Sequence, residues 1–309
     1  MKKFLGIMLV LVVGLGLVGC GKDKEDAAIK VYTRDTSSGT RDAFFTAIDF
    51  EDAIKDDTKL VSGALIADGN GDMITKVKND ENGIGYISLT SLASSGLKGL
   101  SFNGVTASEA NVLNGTYGLK RPFNYIITSN DTTDADKLAQ AFNAYMKTKD
   151  AENIIKSKGG IVEANASAKT WDQIKADYPV TAKDNKAVTV RFGGSTSVES
   201  IAKELSKDFS KKAGNFVAEH NHTGSGAAFK STQGADKDGD NALHVGFASR
   251  GFKSNEAGKA NTFGQLAWDA VVAVVNSKNT LTDVTSVQLR QVYSGEVTTW
   301  SGVTGNDKK

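Results

Sequence analysis

From Ile29 to Asn276 the chain repeats one local pattern. A short run rich in β-branched and aromatic residues is followed by a Gly/Ser/Thr turn, and then by a longer run with apolar residues three and four apart. The first kind of run reads as a strand and the second as an amphipathic helix. Strands that alternate with helices confine the fold to the α/β class. Strands are expected at 29–33 (IKVYT), 84–88 (IGYIS), 123–128 (FNYIIT), 188–192 (VTVRF), 245–248 and 271–276 (VVAVVN), and helices at 41–48, 134–147, 151–158, 198–212 and 286–293. In 198–212, Val198, Ile201, Ala202, Leu205 and Phe209 fall on one face. Much of the glycine sits at the joins, where positive φ or close backbone approach is needed.

The N-terminus has a different character. Met1-Lys2-Lys3 precedes an apolar run from Phe4 to Val18, which ends at Leu17-Val18-Gly19-Cys20. The run is shorter than the ~20 residues a spanning helix needs but suits the core of a signal peptide. Small residues before a cysteine resemble a lipobox, so residues 1–19 are expected to be a signal peptide and Cys20 to be lipidated. Residues 20–28 then form a solvated tether reaching at most about 26–28 Å. Cys20 is the only cysteine, so neither an internal disulfide nor a cysteine-rich zinc site is available. Loss of residues 1–19 removes Lys2 and Lys3 and turns the formal charge of +1 into −1. A chain so balanced is no general nucleic-acid binder, which requires a strong positive field.

Two acidic glycine runs do not make calcium loops. Asp68-Gly69-Asn70-Gly71-Asp72 has Met73 where the EF-hand needs glycine and Asn79 where it needs glutamate. Asp236-Lys237-Asp238-Gly239-Asp240 has its glycine at the wrong offset. Both read as polar turns, and no metal or cofactor is implied.

Three other turns share one chemistry. Arg34-Asp35-Thr36-Ser37-Ser38-Gly39-Thr40, Gly193-Gly194-Ser195-Thr196-Ser197 and Thr223-Gly224-Ser225-Gly226 each lie just before an expected helix. A helix start offers unpaired N–H groups and about half a positive charge. Hydroxyls add donors, and glycine lets the backbone approach a ligand. Each turn taken alone is first of all an N-cap. Together, with no Walker lysine and no G-x-G-x-x-G, they suggest a site for a small oxyanion.

These residues resemble a known family. RDTSSGTRDAFF is similar to the R-x-x-G-S-G-T-R-[DE]-A-F signature of phosphate-binding lipoproteins, the substrate-binding components of Pst-type phosphate ABC transporters. GGSTSVESIAKEL, GFASRGFKSNE, AWDAVVAVVNSKN, NGIGYISL and LRQVYSGEVTTWSGV resemble further segments of that family, so the likeness covers most of the chain after the leader. The segment order differs from the family pattern. Here the chain begins near the SGTR signature and ends just after Trp300-Ser301-Gly302-Val303, as a circular permutant would.

The resemblance implies a two-lobed periplasmic-binding-protein-like (type II) fold with two crossing strands, circularly permuted. Lobe 1 is expected at 123–270, with a joining segment at 159–187 that includes a short helix at 169–177. Lobe 2 is expected at 29–122 plus 271–309. The crossings fall near 122–125 and 268–273, and Ile29 should lie near Lys309. The resemblance further implies phosphate ligation by Arg34, Ser38, Gly39, Thr40, Thr196, Ser197 and Ser225. Asp269 accepts the proton of hydrogen phosphate and so rejects sulfate, and Arg250 either pairs with Asp269 or touches the anion. Ser37 and Ala270 stand where the family has glycine. Arg41 is expected to be structural or to meet a partner. The implied protein is a monomeric, extracytoplasmic, membrane-tethered receptor that delivers phosphate to a membrane-embedded ABC permease. Binding or sensing of another tetrahedral oxyanion is the alternative. A serine hydrolase built on Ser38 or Ser225 with His220, His222 or His244 is disfavoured, because there is no G-x-S-x-G elbow and surface histidines explain the pattern.

Overall fold

The computed structural model describes residues 27–305; Cys20, the expected leader and Lys309 lie outside them. Strand β1 (Lys30–Arg34) leads into α1 (Gly39–Ala47), β2 (Leu65–Ala67) into α2 (Asn70–Lys78) and β3 (Gly83–Ser88) into α3 (Leu89–Ser95). The short β4 (Lys98–Gly99), β5 (Ser101–Phe102) and α4 (Glu109–Leu113) precede β6 (Lys120–Ile127), α5 (Asp134–Tyr145), α6 (Lys149–Ser157) and α7 (Trp171–Ile174). Then come β7 (Thr189–Gly194), α8 (Glu199–Lys212), β8 (Val217–Asn221), α9 (Gly226–Thr232) and β9 (Val245–Ala248). The chain continues through β10 (Phe263–Val275), β11 (Asp283–Val284), α10 (Ser286–Ser294) and α11 (Trp300–Gly305).

One mixed sheet runs in the order β2-β1-β3-β10-β6-β9-β7-β8, with β4 added on β10. The flanks are parallel: β1 with β2 and β3 on one side, β7 with β8 and β9 on the other. An antiparallel pair, β6 with β10, joins them in a register that sets Arg121 opposite Asp269.

Two cores sit on either side of this pair. Phe142, Tyr145, Trp171, Phe192 and Phe209 anchor the first; Phe44, Phe45, Tyr86 and Tyr293 anchor the second. β10 supplies Leu266 and Ala267 to the first, and Ala270, Val271, Ala273 and Val275 to the second. Val272 and Val274 point to the opposite face, into a third cluster with Met73 and Ile87. A strand covered on both faces can be continuously apolar, which is why AVVAVV carries no alternation.

Helix ends follow local chemistry. The Thr133 and Thr285 hydroxyls cap α5 and α10, with Asp136 and Gln288 completing capping boxes. Ile201, Ala202, Leu205 and Phe209 of α8 are buried together, the face its spacing predicts. Two of the differences from the sequence reading bear on the site. The Asp68–Asp72 run, read as a turn, opens α2, because Met73 and Val77 supply a buried helical stripe after it. The strand expected at 271–276 begins at Phe263 and crosses between the cores.

The joining segment is tied into the body. Trp171 lies in the first core, while Ile161 exchanges two backbone hydrogen bonds with Trp268 and packs in the second. The ends of the described chain are adjacent: Ile29 N–H donates to Thr298 O at 2.8 Å and Ala28 bridges Thr299.

Candidate functional site

The first hydroxyl-glycine turn places Arg34 at the end of β1, buried, with Nε donating to Ala67 O at 2.9 Å and Nη2 to Asp68 O at 3.3 Å. These two carbonyls aim Nη1 across the molecule, 3.5 Å from Thr196 Oγ1. Ser38 is the N-cap of α1, and its Oγ accepts from the N–H groups of Thr40 and Arg41. Thr40 Oγ1 meets Ser197 Oγ at 3.0 Å. Gly39 has to be glycine for steric reasons: a Cβ there would lie 2.4 Å from Ser225 Oγ and 2.9 Å from Ser249 Oγ.

The second turn approaches from the other side of the β6/β10 pair. Gly194 has φ +100°, a left-handed conformation that a side chain disfavours, and a Cβ there would strike Phe247 O at 2.2 Å. Ser197 N–H donates to Ser195 Oγ. In the third turn, Ser225 Oγ lies 3.1 Å from Ser249 Oγ and accepts the Ser249 N–H at 2.9 Å. The structure thus brings together Arg34, Ser38, Gly39, Thr40, Thr196, Ser197 and Ser225.

Four residues that the sequence reading did not place at the site complete the cluster. Asn70, at the start of α2, places Nδ2 3.0 Å from Ser197 Oγ and 3.5 Å from Thr196 Oγ1. Its Oδ1 accepts the Ser88 N–H, which fixes which end of the amide faces the hydroxyls. Arg121 on β6 donates from Nη2 to Ser197 Oγ at 3.0 Å. Ser88 and Ser249 supply buried hydroxyls. Arg121 has a sequence signal: in KRPFNYII it shares the core-facing phase with Phe123 and Tyr125. Asn70 has one too, as another short strand, turn and helix.

Asp269 is fully buried on β10 and pairs with Arg121, Nε to Oδ2 at 2.8 Å and Nη2 to Oδ2 at 2.7 Å. Burial pushes its carboxyl upward, opposed by Arg121, Ser88 and the Ala270 N–H; burial pushes the Arg121 guanidinium down, opposed by Asp269. Each of the two buried guanidiniums has a carboxylate near it, Arg121 with Asp269 at 2.7 Å and Arg34 Nη2 with the half-exposed Asp35 at 3.7 Å.

The Arg250–Asp269 pairing is corrected. Arg250 makes a fork to Glu256 (Nη1 to Oε2 2.6 Å, Nη2 to Oε1 2.8 Å), and its Nε lies 3.4 Å from Asp42 Oδ2. Glu256 lies six residues on in the same loop, so the local fork forms while β6 supplies Asp269 with Arg121. Arg41 is fully buried, with Nη1 at 2.6 Å from both Arg34 O and Asp57 Oδ1, and it holds the turn from below.

The histidines are not surface groups. His220 and His222 are half-buried and stack between Phe192 and Phe247. Their partners are Ser206 Oγ, each other and Ser195 O, while His244 accepts the Arg191 N–H. Neither Ser38 nor Ser225 is among these partners.

The family model of the PBP superfamily domain matches residues 179–309. Phosphate-binding protein PstS 2 of Streptococcus pneumoniae serotype 4 (strain ATCC BAA-334 / TIGR4) is 31% identical over 310 residues, 98% of this chain and 99% of that protein. Phosphate-binding protein PstS 2 of Streptococcus agalactiae serotype V is 28% identical over 311 residues, 97% and 99% of the two chains. Among solved structures, a phosphate-binding protein of a phosphate ABC transporter from Streptococcus pneumoniae TIGR4 superposes with a TM-score of 0.64 at 28% identity, covering 90% of this chain and 100% of that one. Likeness from end to end, in sequence and in fold, shows that the chain belongs to the PstS family of phosphate-binding proteins.

Proposed function

We propose that this chain binds inorganic phosphate between two lobes and delivers it to an ABC permease, as a binding protein and not an enzyme. One observation carries the reading. Donors from one side of the β6/β10 pair, Arg34 and Asn70, and from the pair itself, Arg121, converge on the hydroxyls of Thr196 and Ser197 on the other side, where Thr40 Oγ1 also meets Ser197 Oγ. A tetrahedral anion with four acceptor oxygens matches such a set, and contact with both sides favours the closed arrangement. Phosphate is then held by Arg34, Ser38, Gly39, Thr40, Thr196, Ser197 and Ser225, joined by Asn70, Arg121 and Ser249. Arg250, whose guanidinium is committed to Glu256, Asp42 and Gly251 O, is assigned to holding the loop after β9.

The finer assignments belong to the same proposal. The lobes are 29–122 with 271–309, and 123–270. Residues 1–19 are a signal peptide, Cys20 carries lipid, and the protein works as an extracytoplasmic, tethered monomer. No helix among the described residues is long and apolar enough to cross a membrane. The permuted order is supported by the adjacency of Ile29 and Thr298. The Streptococcus relatives align with this chain end to end and so share its order.

Isothermal titration with phosphate tests the function. Wild type should bind one phosphate per chain. Arg34→Ala should weaken it about tenfold to hundredfold, the worth of hydrogen bonds from one charged group. A folded wild-type protein that takes up no phosphate contradicts the proposal.

A further inference from the structure

One short loop touches all three hydroxyl-glycine turns. Between β8 and α9, Gly224 N–H donates to Gly194 O at 2.9 Å and Gly226 N–H to Ser37 O at 3.1 Å, while Ser225 is the hydroxyl of the third turn itself. Gly224 has φ +136°, and a Cβ there would lie 2.8 Å from Ser37 Oγ. The loop starts at His222, whose Nδ1 lies 3.0 Å from Ser195 O, the carbonyl next to the one that Gly224 holds. A carbonyl only accepts, so this nitrogen carries the hydrogen. The rest of Ser195 is committed as well: its N–H donates to Phe247 O at 2.7 Å and its Oγ accepts the Ser197 N–H at 3.2 Å. The ring of His222 is fixed in turn. His220 Nδ1 lies 3.1 Å from its Nε2, and Phe192, His220, His222 and Phe247 follow one another as nearly parallel rings, at interplanar angles of 16°, 15° and 23°.

We infer that His222 is a positioning residue for phosphate binding: its Nδ1–H, held on Ser195 O, locks the β8–α9 loop to the second turn and so keeps Thr196, Ser197 and Ser225 in one arrangement. The inference rests on the phosphate-binding reading. It adds a residue whose polar partners are Ser195 O and His220, and none of the hydroxyls of the site. The turn needs such a support because it lies between β7 and α8, where neither a strand ladder nor a helix supplies its hydrogen bonds. Without the imidazole, Ser195 O keeps only the longer bond from Val198 N–H, at 3.3 Å. A turn free to rock about that bond holds Thr196 and Ser197 loosely, and ordering them is then taken out of the binding energy. An imidazole held between parallel rings has little freedom left to lose, so its donor is aimed before the anion arrives.

Two variants separate the donor from the ring. Asparagine places its Nδ2 about where His222 has Nδ1 and brings no ring; phenylalanine keeps a ring and brings no donor. In phosphate titrations, His222→Asn should bind within about twofold of wild type and His222→Phe about threefold to tenfold more weakly, the worth of one neutral hydrogen bond. If His222 served only to fill the ring stack, the order would be reversed. A His222→Asn that binds more weakly than His222→Phe therefore overturns the inference, as does a folded His222→Phe with wild-type affinity. Long-range proton–nitrogen NMR of the histidine side chains reads the wild-type protein directly, and decides the matter if His222→Phe does not fold. His222 should be the Nδ1–H tautomer, and its Nδ1–H signal should shift on saturation with phosphate. His244, whose Nδ1 accepts the Arg191 N–H at 2.9 Å, should be the Nε2–H tautomer and should not move. An Nε2–H tautomer at His222, or an Nδ1–H signal that stays put while phosphate binds, overturns the inference. These outcomes leave the phosphate-binding reading standing, whereas a folded wild type that takes up no phosphate removes that reading and the inference with it.

Discussion

Ser197 is where the polar contacts of the site meet. Its Oγ lies 3.0 Å from Thr40 Oγ1, Asn70 Nδ2 and Arg121 Nη2, and its carbonyl accepts from Thr90. The residues that sequence alone located are those lying in contiguous turns, where Ser, Thr and Gly ahead of a helix carry a local signal. Arg121, Ser88 and Asp269 reach one another only through strand pairing, so no local pattern announces the contact between them. The histidines show the same limit. Ser195 O can only accept, so His222 Nδ1 carries hydrogen, and its Nε2 accepts from His220 Nδ1 at 3.1 Å. Ser206 Oγ lies 3.0 Å from His220 Nε2 and 3.1 Å from Lys203 O, to which it donates. Burial, the neighbouring ring and Lys203 push His220 down to about 4, against the pull of Glu199; His222 is pushed down as well, mainly by burial. In the unfolded chain both titrate near 6.5. The unfolded state therefore binds more protons as pH falls below that value. The stability these rings contribute is present above pH 6.5 and is lost as pH falls toward 4. Thermal melts should show this decline between pH 6.5 and 4, and His220→Gln should flatten part of it. An identical slope in the variant would contradict the buried neutral pair.

At the scale of elements, the amphipathic helices were the most legible, because the buried stripe of α8 and the capping boxes of α5 and α10 are written within single helices. The length of β10 was not, since Gln265, Trp268 and Asp269 interrupt its apolar run and only its pairing with β6 makes one strand of it. The N-terminus of α1 is the element most sensitive to change. Gly39 lies against Ser225 and Ser249 with no room for a methyl group. Overpacking a buried contact costs about 1–3 kcal/mol, more than the ~1 kcal/mol by which alanine favours helix over glycine, so Gly39→Ala should lower the melting temperature. The same methyl group should hold α1 away from Ser225 and Ser249 and weaken phosphate at least about tenfold, as removal of one charge-assisted contact would. Paired titration and melting experiments check this; full affinity with an unchanged melt would show that α1 does not close against these serines.

At the scale of the whole molecule, two parallel flanks joined by the antiparallel β6/β10 pair set the groups of the site opposite one another. The order of strands in the sheet departs from their order in the chain, and no periodicity encodes it; family resemblance implied two lobes and two crossing strands but not this order. Outside the hydroxyl cluster, Asp42 of α1 meets both Arg250 and Lys253 of the loop after β9 at 3.4 Å, a second polar contact between the two sides of the β6/β10 pair. An anion that touches both sides adds its own contacts to this closed arrangement. The most direct measurement is a crystal structure of the protein with phosphate. The account predicts one phosphate within hydrogen-bond distance of Arg34, the Ser38–Thr40 turn, Thr196, Ser197 and Arg121. A phosphate bound away from these residues, in a protein that binds it tightly in solution, would contradict it.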